Sequence, residues 1–309
     1  MVTYYFTING KVTLIDEYRD GCWINVINPT EEEISSVTEL LGVENDYIRA
    51  ALDEEETSRI ESEDGNTLVI IDVPFAKKES DGSLVYITMP MGIILTEKAI
   101  ATVCLVENSV VRDFSDGLIK NVQTSLKTRF LLHILLKVAS KFLQYLKQID
   151  KLSNYIEKQL HASMKNKELI QLLGLEKSLV FFSTSLKANE VTIEKVLRGR
   201  NIKLYEDDQD LLEDVLIEIK QAIEMSNIYS SILSGTMDAF ASMISNNLNI
   251  VMKVLTVLTI LMAIPTMIFS FYGMNVSGLP FAGNWLIPFG IGVVVTAVAA
   301  FVLLKKKMF

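Results

Sequence analysis

Cysteine and histidine are scarce in this 309-residue chain, which has two of each. Cys22 and Cys104 lie far apart in apolar surroundings and no CxxC is present. That pattern points to reduced core thiols in a cytosolic domain and excludes a disulfide framework. His133 and His161 sit on helical patterns rich in Leu and Lys, and so few soft ligands do not assemble a His/Cys metal centre. The chain also lacks GxGxxG, GxxxxGK[ST], HExxH and GxSxG, so none of the common nucleotide-binding or hydrolytic sites is expected and no enzyme activity is predicted. Charge itself is missing from the last quarter. No Asp or Glu follows Asp238, and the only basic residues there are Lys253, Lys305, Lys306 and Lys307. The first 238 residues hold all 38 acidic residues against 25 basic ones, a net of about −13. Such a surface does not seek nucleic acid, whose binding needs a basic face; cation attraction and a merely solvated acidic surface both fit it.

The uncharged stretch contains two apolar runs, Val254–Tyr272 of 19 residues and Trp285–Leu304 of 20. About 20 apolar residues in a helix cross a hydrocarbon core of roughly 30 Å, and unpaired backbone groups are not tolerated there, so both runs are expected to be membrane-spanning helices. Lys253 precedes the first span and Lys305–Lys307 follow the second, while the intervening loop Gly273–Asn284 has no Lys or Arg. By the positive-inside rule both chain ends are cytoplasmic, the loop is outside, and the chain is a multi-pass protein of the cell membrane. The opening MVTYYFTINGKVTLIDEY lacks the basic start and apolar stretch of a signal peptide.

Residues 1–124 read as a cytoplasmic α/β domain. YYFTI, CWINVI, TLVIID, LVYITMPMGIIL and IATVCLV are short, apolar and β-branched, as strands are. Asp64-Gly65 marks a turn between two of them. Thr30 followed by Glu33 predicts a capped helix running to about Leu41 and ended by Gly42, and a second short helix is expected over Asp46–Leu52. From about Ser125 the strand signals stop. Residues 125–250 read as a cytoplasmic helical domain: one helix from RFLLHILLKV onward, a second over about Glu168–Leu197 with a turn near Lys165–Lys167, and a third from about Asp208 to Tyr272. The third has one Gly (Gly235) and one Pro (Pro265) in about 65 residues, a length of roughly 100 Å, and enters the first span directly. The spans, about 251–272 and 285–304, and the loop between them complete a third region, 251–309.

One face of the third helix is polar. Steps of four and three from Asp238 give Ser242, Ser245, Asn249, Met252, Thr256, Thr259, Ala263, Thr266 and Ser270; eight of these ten positions carry a hydroxyl, amide or carboxylate. A polar stripe in a lipid-crossing helix faces another helix or water. Helix packing and pore lining both fit it, and because two spans per chain do not enclose a pore, pore lining demands an oligomer.

Tyr272-Gly273-Met274-Asn275, placed just after the first of two C-terminal spans, resembles the signature of the CorA family of divalent-cation channels and transporters. The resemblance extends to NIVMKVLT (Asn249–Thr256), Pro265-Thr266, LDEEETSRIE (Leu52–Glu61), the long helices after Ser125 and the terminal lysines, so it covers essentially the whole chain. It implies a funnel-shaped homopentamer whose first spans line one pore, with Gly273, Met274 and Asn275 as a selectivity filter for hydrated Mg²⁺. Such an ion dehydrates reluctantly, and five neutral Asn275 amides accept hydrogen bonds from its waters without holding it too tightly to release. The resemblance places Asp238, Asn249, Met252, Leu255 and Thr266 on pore-facing positions; four lie on the stripe and Leu255 is one residue off it. Met252 and Leu255 become a hydrophobic constriction. With Ser245, Thr256, Thr259, Ala263 and Ser270 of the stripe they form the expected pore lining.

The resemblance also implies closure by cytoplasmic divalent ions bound between subunits. Asp214 matches one sensing position; the partner carboxylate's place is taken by Lys77 or Lys78, and Asp207, Asp208, Asp210 and Glu213 are alternative ligands. The loop Val276–Asn284 lacks the acidic residues that many relatives carry after the motif. Mg²⁺ is thus the expected cargo and regulator, and Co²⁺ or Ni²⁺ pass a filter that sees only hydrated divalent ions. The competing readings are a zinc transporter on the same scaffold and a membrane-anchored divalent-ion sensor.

Overall fold

A computed structural model describes residues 1–78, 84–163, 166–199, 202, 204–275, 279–280 and 284–306. The chain divides into two compact units, Met1–Ser234 and Gly235–Phe309. The first is built on β1 (Val2–Ile8), β2 (Lys11–Ile15), β3 (Trp23–Ile27), α1 (Glu31–Leu41), α2 (Asn45–Ala50), β4 (Arg59–Glu63), β5 (Asn66–Lys78), β6 (Leu84–Leu95), β7 (Ile100–Cys104), α3 (Ser109–Ser115), α4 (Lys127–Ser163) and α5 (Asn166–Leu197). A short 3₁₀ turn, Glu206–Asp208, precedes α6 (Gln209–Tyr272), and α7 (Leu286–Lys305) follows.

The strands form one seven-stranded sheet in the order β2-β1-β3-β7-β6-β5-β4. Every pairing is antiparallel except β3 with β7. The near-continuous apolar runs of β3, β5, β6 and β7 match burial on both faces. One core joins Ile24, Val26, Ile70 and Ile94 to Ile34, Val37 and Leu41 of α1 and Ile48 of α2. Elsewhere Trp23 packs against Phe114 of α3 and Phe130 of α4, and Tyr86 and Phe142 pack against Phe182 of α5.

Local chemistry sets the element ends as expected at several points. The Thr30 hydroxyl accepts from the Glu33 N–H at 3.2 Å while the Thr30 N–H donates to Glu33 at 3.0 Å, a closed capping box. Gly42 ends α1 at φ +67°. Asp64 and Gly65 both have positive φ, at +49° and +82°, in the turn joining β4 to β5. Other expectations need correction. The second helix runs over Asn45–Ala50 rather than Asp46–Leu52, and α4 begins at Lys127, two residues before the expected RFLLHILLKV. Strands β2 and β4 and helix α3 were not foreseen. β2 and β4 are short and exposed along much of their length, and β4 keeps a single apolar residue, so the unbroken apolar signal that marks inner strands is weak in them. The turn near Lys165–Lys167 lies partly outside the described residues.

α5 is bound to the sheet by polar groups that no propensity rule predicts. Asn189 accepts from the Asp72 N–H at 2.9 Å and donates to the Asp72 carbonyl at 2.8 Å. The registered pairing of β4 with β5 ends at Arg59–Ile70, so this one amide takes the place of a neighbouring strand for Asp72. Ser58 donates to Asn189, Ser185 pairs with Thr88, and the Tyr86 N–H donates to Ser178. Within the same unit Ser226 of α6 donates to the Leu179 carbonyl of α5 at 3.3 Å.

Candidate functional site

Among the described residues three helices are long and apolar enough to cross a membrane: α5, α6 and α7. They differ in surroundings. In α5 39% of the most apolar stretch is buried inside the protein, against 6% in α6 and in α7.

Between Val254 and Tyr272 the residues of α6 that are shielded are Val257, Leu261, Ile264, Pro265, Ile268 and Tyr272. At about 100° per residue these fall on one face. The matching face of α7 holds Pro288 and Gly292, both buried, with Thr296, Ala299, Ala300 and Leu303 half-buried. The stripe of Asp238, Ser242, Ser245, Asn249, Met252, Thr256, Thr259, Ala263, Thr266 and Ser270 is exposed at every position. From Thr256 to Ser270 it lies on the side of α6 opposite the shielded face. Leu255, beside it, is also exposed. The polar face is therefore not what joins α6 to α7 within one chain.

Thr256, Thr259 and Thr266 each donate their hydroxyl to the carbonyl four residues back, at 2.8 Å. Spent in this way, the hydroxyl proton stays inside the helix and the oxygen lone pairs face outward as acceptors. Thr266 bonds to the Met262 carbonyl beside Pro265, where the helix has lost one backbone donor.

α6 ends where the motif begins. The Gly273 N–H donates to the Phe269 carbonyl at 2.9 Å and the Met274 N–H to the Phe271 carbonyl at 3.4 Å. A Cβ on Gly273 would lie 3.2 Å from the Phe269 carbonyl oxygen, so glycine's bare backbone is what lets the chain close on the last turn. Met274 and Asn275 are exposed. Of the following loop, residues 276–278 and 281–283 lie outside the described residues, and so does Lys307. The Asn284 carbonyl oxygen of the side chain accepts from the Leu286 N–H at 3.1 Å, at the start of α7.

The residues expected to sense divalent ions lie around the start of α6. Asp207 is in the 3₁₀ turn, Asp210 and Asp214 are one helical turn apart, and all three are exposed. Among the described residues no three His, Cys, Asp or Glu side chains of one chain are grouped for a metal ion. Lys77 and Lys78 end β5 and are exposed. Neighbouring Asp208, also expected as an alternative ligand, is instead buried and faces Arg129 at 3.7 Å. His133 is held below its ordinary pKa by burial and then by the Arg129 charge, with Asp208 acting the other way. It stays a neutral core group at physiological pH.

Sequence reasoning missed the part of this region contributed by α7. Phe269 and Phe289 stack with centroids 6.4 Å apart and planes 2° from parallel, and a Cβ on Gly292 would sit 3.3 Å from two atoms of the Phe269 ring. A run of small and apolar residues does not announce which glycine receives a ring.

Comparison with known proteins fits this architecture. Residues 19–306 match the family described as CorA-like Mg²⁺ transporter protein. The chain is 27% identical over 285 residues to the cobalt/magnesium transport protein CorA of Methanocaldococcus jannaschii, covering 88% of this chain and 86% of that one. It is 34% identical over 145 residues to the protein of the same description from Thermotoga maritima, covering 43% and 41%. The complete structure of the CorA magnesium transporter from M. jannaschii superposes with a TM-score of 0.81 at 24% identity, over 99% of this chain and 96% of that one, a likeness of fold. The α/β unit, the long helices and the apolar C-terminal helices together with the family match make this chain a member of the CorA-like Mg²⁺ transporter family, whose members move ions and are not enzymes.

Proposed function

We propose that several copies of this chain, five by the family resemblance, surround a pore that conducts hydrated Mg²⁺ into the cytoplasm. The observation that carries this reading is the exposed polar stripe on α6, which faces away from α7 and leads to Gly273-Met274-Asn275. A face of hydroxyl and amide oxygens is costly against lipid and useful against water. The back-bonded threonines offer acceptors, which is what the outward-pointing hydrogens of a hydrated cation require. Met252 and Leu255 form the apolar narrowing on this path, Asn249 a polar ring, Asp238 an acidic ring near the inner exit, and Asn275 the filter at the outer mouth.

The membrane is crossed twice in this reading, by the C-terminal part of α6 and by α7. α5 is left out because Asn189, Ser185 and Ser178 bond it to β5 and β6, bonds it would forfeit in lipid. Lys253, Lys305 and Lys306 set both termini in the cytoplasm. The region 1–124 is then a cytoplasmic α/β domain, 125–250 a cytoplasmic helical domain and 251–309 the membrane hairpin. Cytoplasmic divalent ions regulate the pore through Asp207, Asp210 and Asp214, whose exposure leaves them open to a neighbouring copy.

The test is uptake into liposomes holding the purified full chain and a magnesium-sensitive dye, native against Asn275→Ala. Flux in the native protein with most of it lost in the variant supports the reading. Equal flux in both removes Asn275 as the filter, and zinc or proton flux in the same vesicles then identifies the cargo. No flux with internal Mg²⁺ removed leaves the sensor reading in its place.

A further inference from the structure

Phe269 makes two connections at once. Its carbonyl accepts the Gly273 N–H at 2.9 Å and so closes the last turn of α6 at the motif. Its ring lies on α7, where a Cβ added at Gly292 would come within 3.3 Å of Cε1 and Cζ, and it stacks on Phe289 one turn nearer the loop. The Thr296 hydroxyl in turn donates to the Gly292 carbonyl at 2.7 Å. Four residues below the ring's own turn, Pro265 removes a backbone donor from α6, which weakens the helix as a rigid rod at that level. The end of α6 that bears the motif is thus one backbone hydrogen bond short of the helix below and seated on α7.

From this we infer that Gly292 is a positioning residue for the filter: by leaving room for the Phe269 ring, α7 sets where Gly273, Met274 and Asn275 are held. The inference rests on the reading of that motif as the filter and adds the element that aims it. Its signature is an effect on ion capture rather than on the number of working molecules. A Cβ at 3.3 Å from a ring is tighter than ordinary packing, so Gly292→Ala displaces Phe269 and with it the hydrogen bond that closes α6. The same substitution at Gly290, where an added Cβ meets nothing within 4 Å, displaces nothing.

The experiment is Mg²⁺ uptake by the full chain in liposomes across a range of external Mg²⁺. Gly292→Ala is expected to raise KM about five- to tenfold, the effect of a modest overpacking, with maximal flux largely kept, and Gly290→Ala to leave both unchanged. Phe269→Leu alone also raises KM by loosening the contact. In the Gly292→Ala background it removes the crowded ring atoms, so the double variant falls well short of the product of the two single effects. Unchanged KM in Gly292→Ala overturns the inference, as does loss of maximal flux at native KM, or a double variant equal to that product. If Gly292→Ala does not assemble, Phe289→Leu decides in its place, since it removes the ring stacked on Phe269 without crowding it, and a native KM there overturns the inference. Asn275→Ala measured alongside separates the two levels. Native flux in that variant at every external Mg²⁺ concentration sinks the filter reading itself, whereas impaired flux in Asn275→Ala with a native KM in Gly292→Ala sinks only the positioning role.

Discussion

Asp72 and Asp113 are carboxylates of the first unit whose surroundings push them in opposite directions. Burial raises the Asp72 pKa, and the hydrogen bond from Ser185 only partly opposes it. Burial also acts to raise Asp113, yet the hydrogen bonds and charges of Lys137 and Lys141, both at 2.8 Å, outweigh it and the pKa is lowered. The linkage signs follow. A depressed carboxylate contributes stability that is present above its unfolded pKa and lost as pH falls through the folded one, whereas a raised carboxylate loses stability as pH climbs from the ordinary carboxylate range through its folded pKa. Asp113→Asn should therefore destabilise the full chain by about 1–3 kcal/mol at neutral pH, because it strands two lysines, and the acid side of its stability profile should flatten. Asp72→Asn should be neutral or stabilising by up to about 1 kcal/mol at pH 7 and remove a decline in stability above the ordinary carboxylate range. Thermal unfolding followed by the fluorescence of Trp23 at several pH values checks both. A lower melting point in Asp72→Asn would mean that its carboxylate is needed as an acceptor by Ser185.

At the scale of elements, what local rules read well and what they miss divide along sequence distance. The capping box at Thr30, the stop at Gly42 and the turn at Asp64-Gly65 are each decided by residues within a few positions, and each is where the residues imply. The length of α6 is legible because only Gly235 and Pro265 between Gln209 and Tyr272 oppose a helix, and it runs through both, and its polar stripe is legible because it is periodic. The clasp of Asn189 on Asp72 spans 117 positions, and the seat of Phe269 on Gly292 joins two different helices; neither leaves a local pattern. Asn189 is 1% exposed and supplies both partners of one strand residue, so Asn189→Ala should cost about 2–4 kcal/mol through two stranded backbone groups. Asn189→Asp keeps an acceptor for the Asp72 N–H but no donor, and adds a charge beside Asp72, so it should be at least as damaging. Melting of the full chain measures the cost, and faster hydrogen exchange at the Asp72 amide locates it. A loss below about 0.5 kcal/mol would mean that water replaces the amide and that this end of α5 is not held by it.

For the whole molecule, the exposed surface of the second unit has two chemistries that demand two environments. Leu248, Val251, Leu258 and Met262 of α6 and Val293 and Phe301 of α7 are exposed apolar groups, fit for lipid or for another helix. Asn249, Thr256, Thr259 and Thr266 are exposed polar groups along the stripe of α6, fit for water. Self-assembly about an axis beside the polar face satisfies both at once, and chemical labelling tests it without reference to the filter. The native thiols give no background, since Cys22 and Cys104 are 0% and 1% exposed and burial pushes the Cys104 thiol up to about 12, which leaves little thiolate to react. With α6 lining the path, Thr259→Cys should react with a small, charged, water-soluble thiol reagent and lose most of its Mg²⁺ flux. Leu258→Cys, roughly a quarter-turn away, should react slowly and keep its flux. Reaction at both positions with equal loss would place water all round the helix. Reaction at neither would bury the stripe between helices, and the threonines would then be packing groups whose hydroxyls serve only their own backbone.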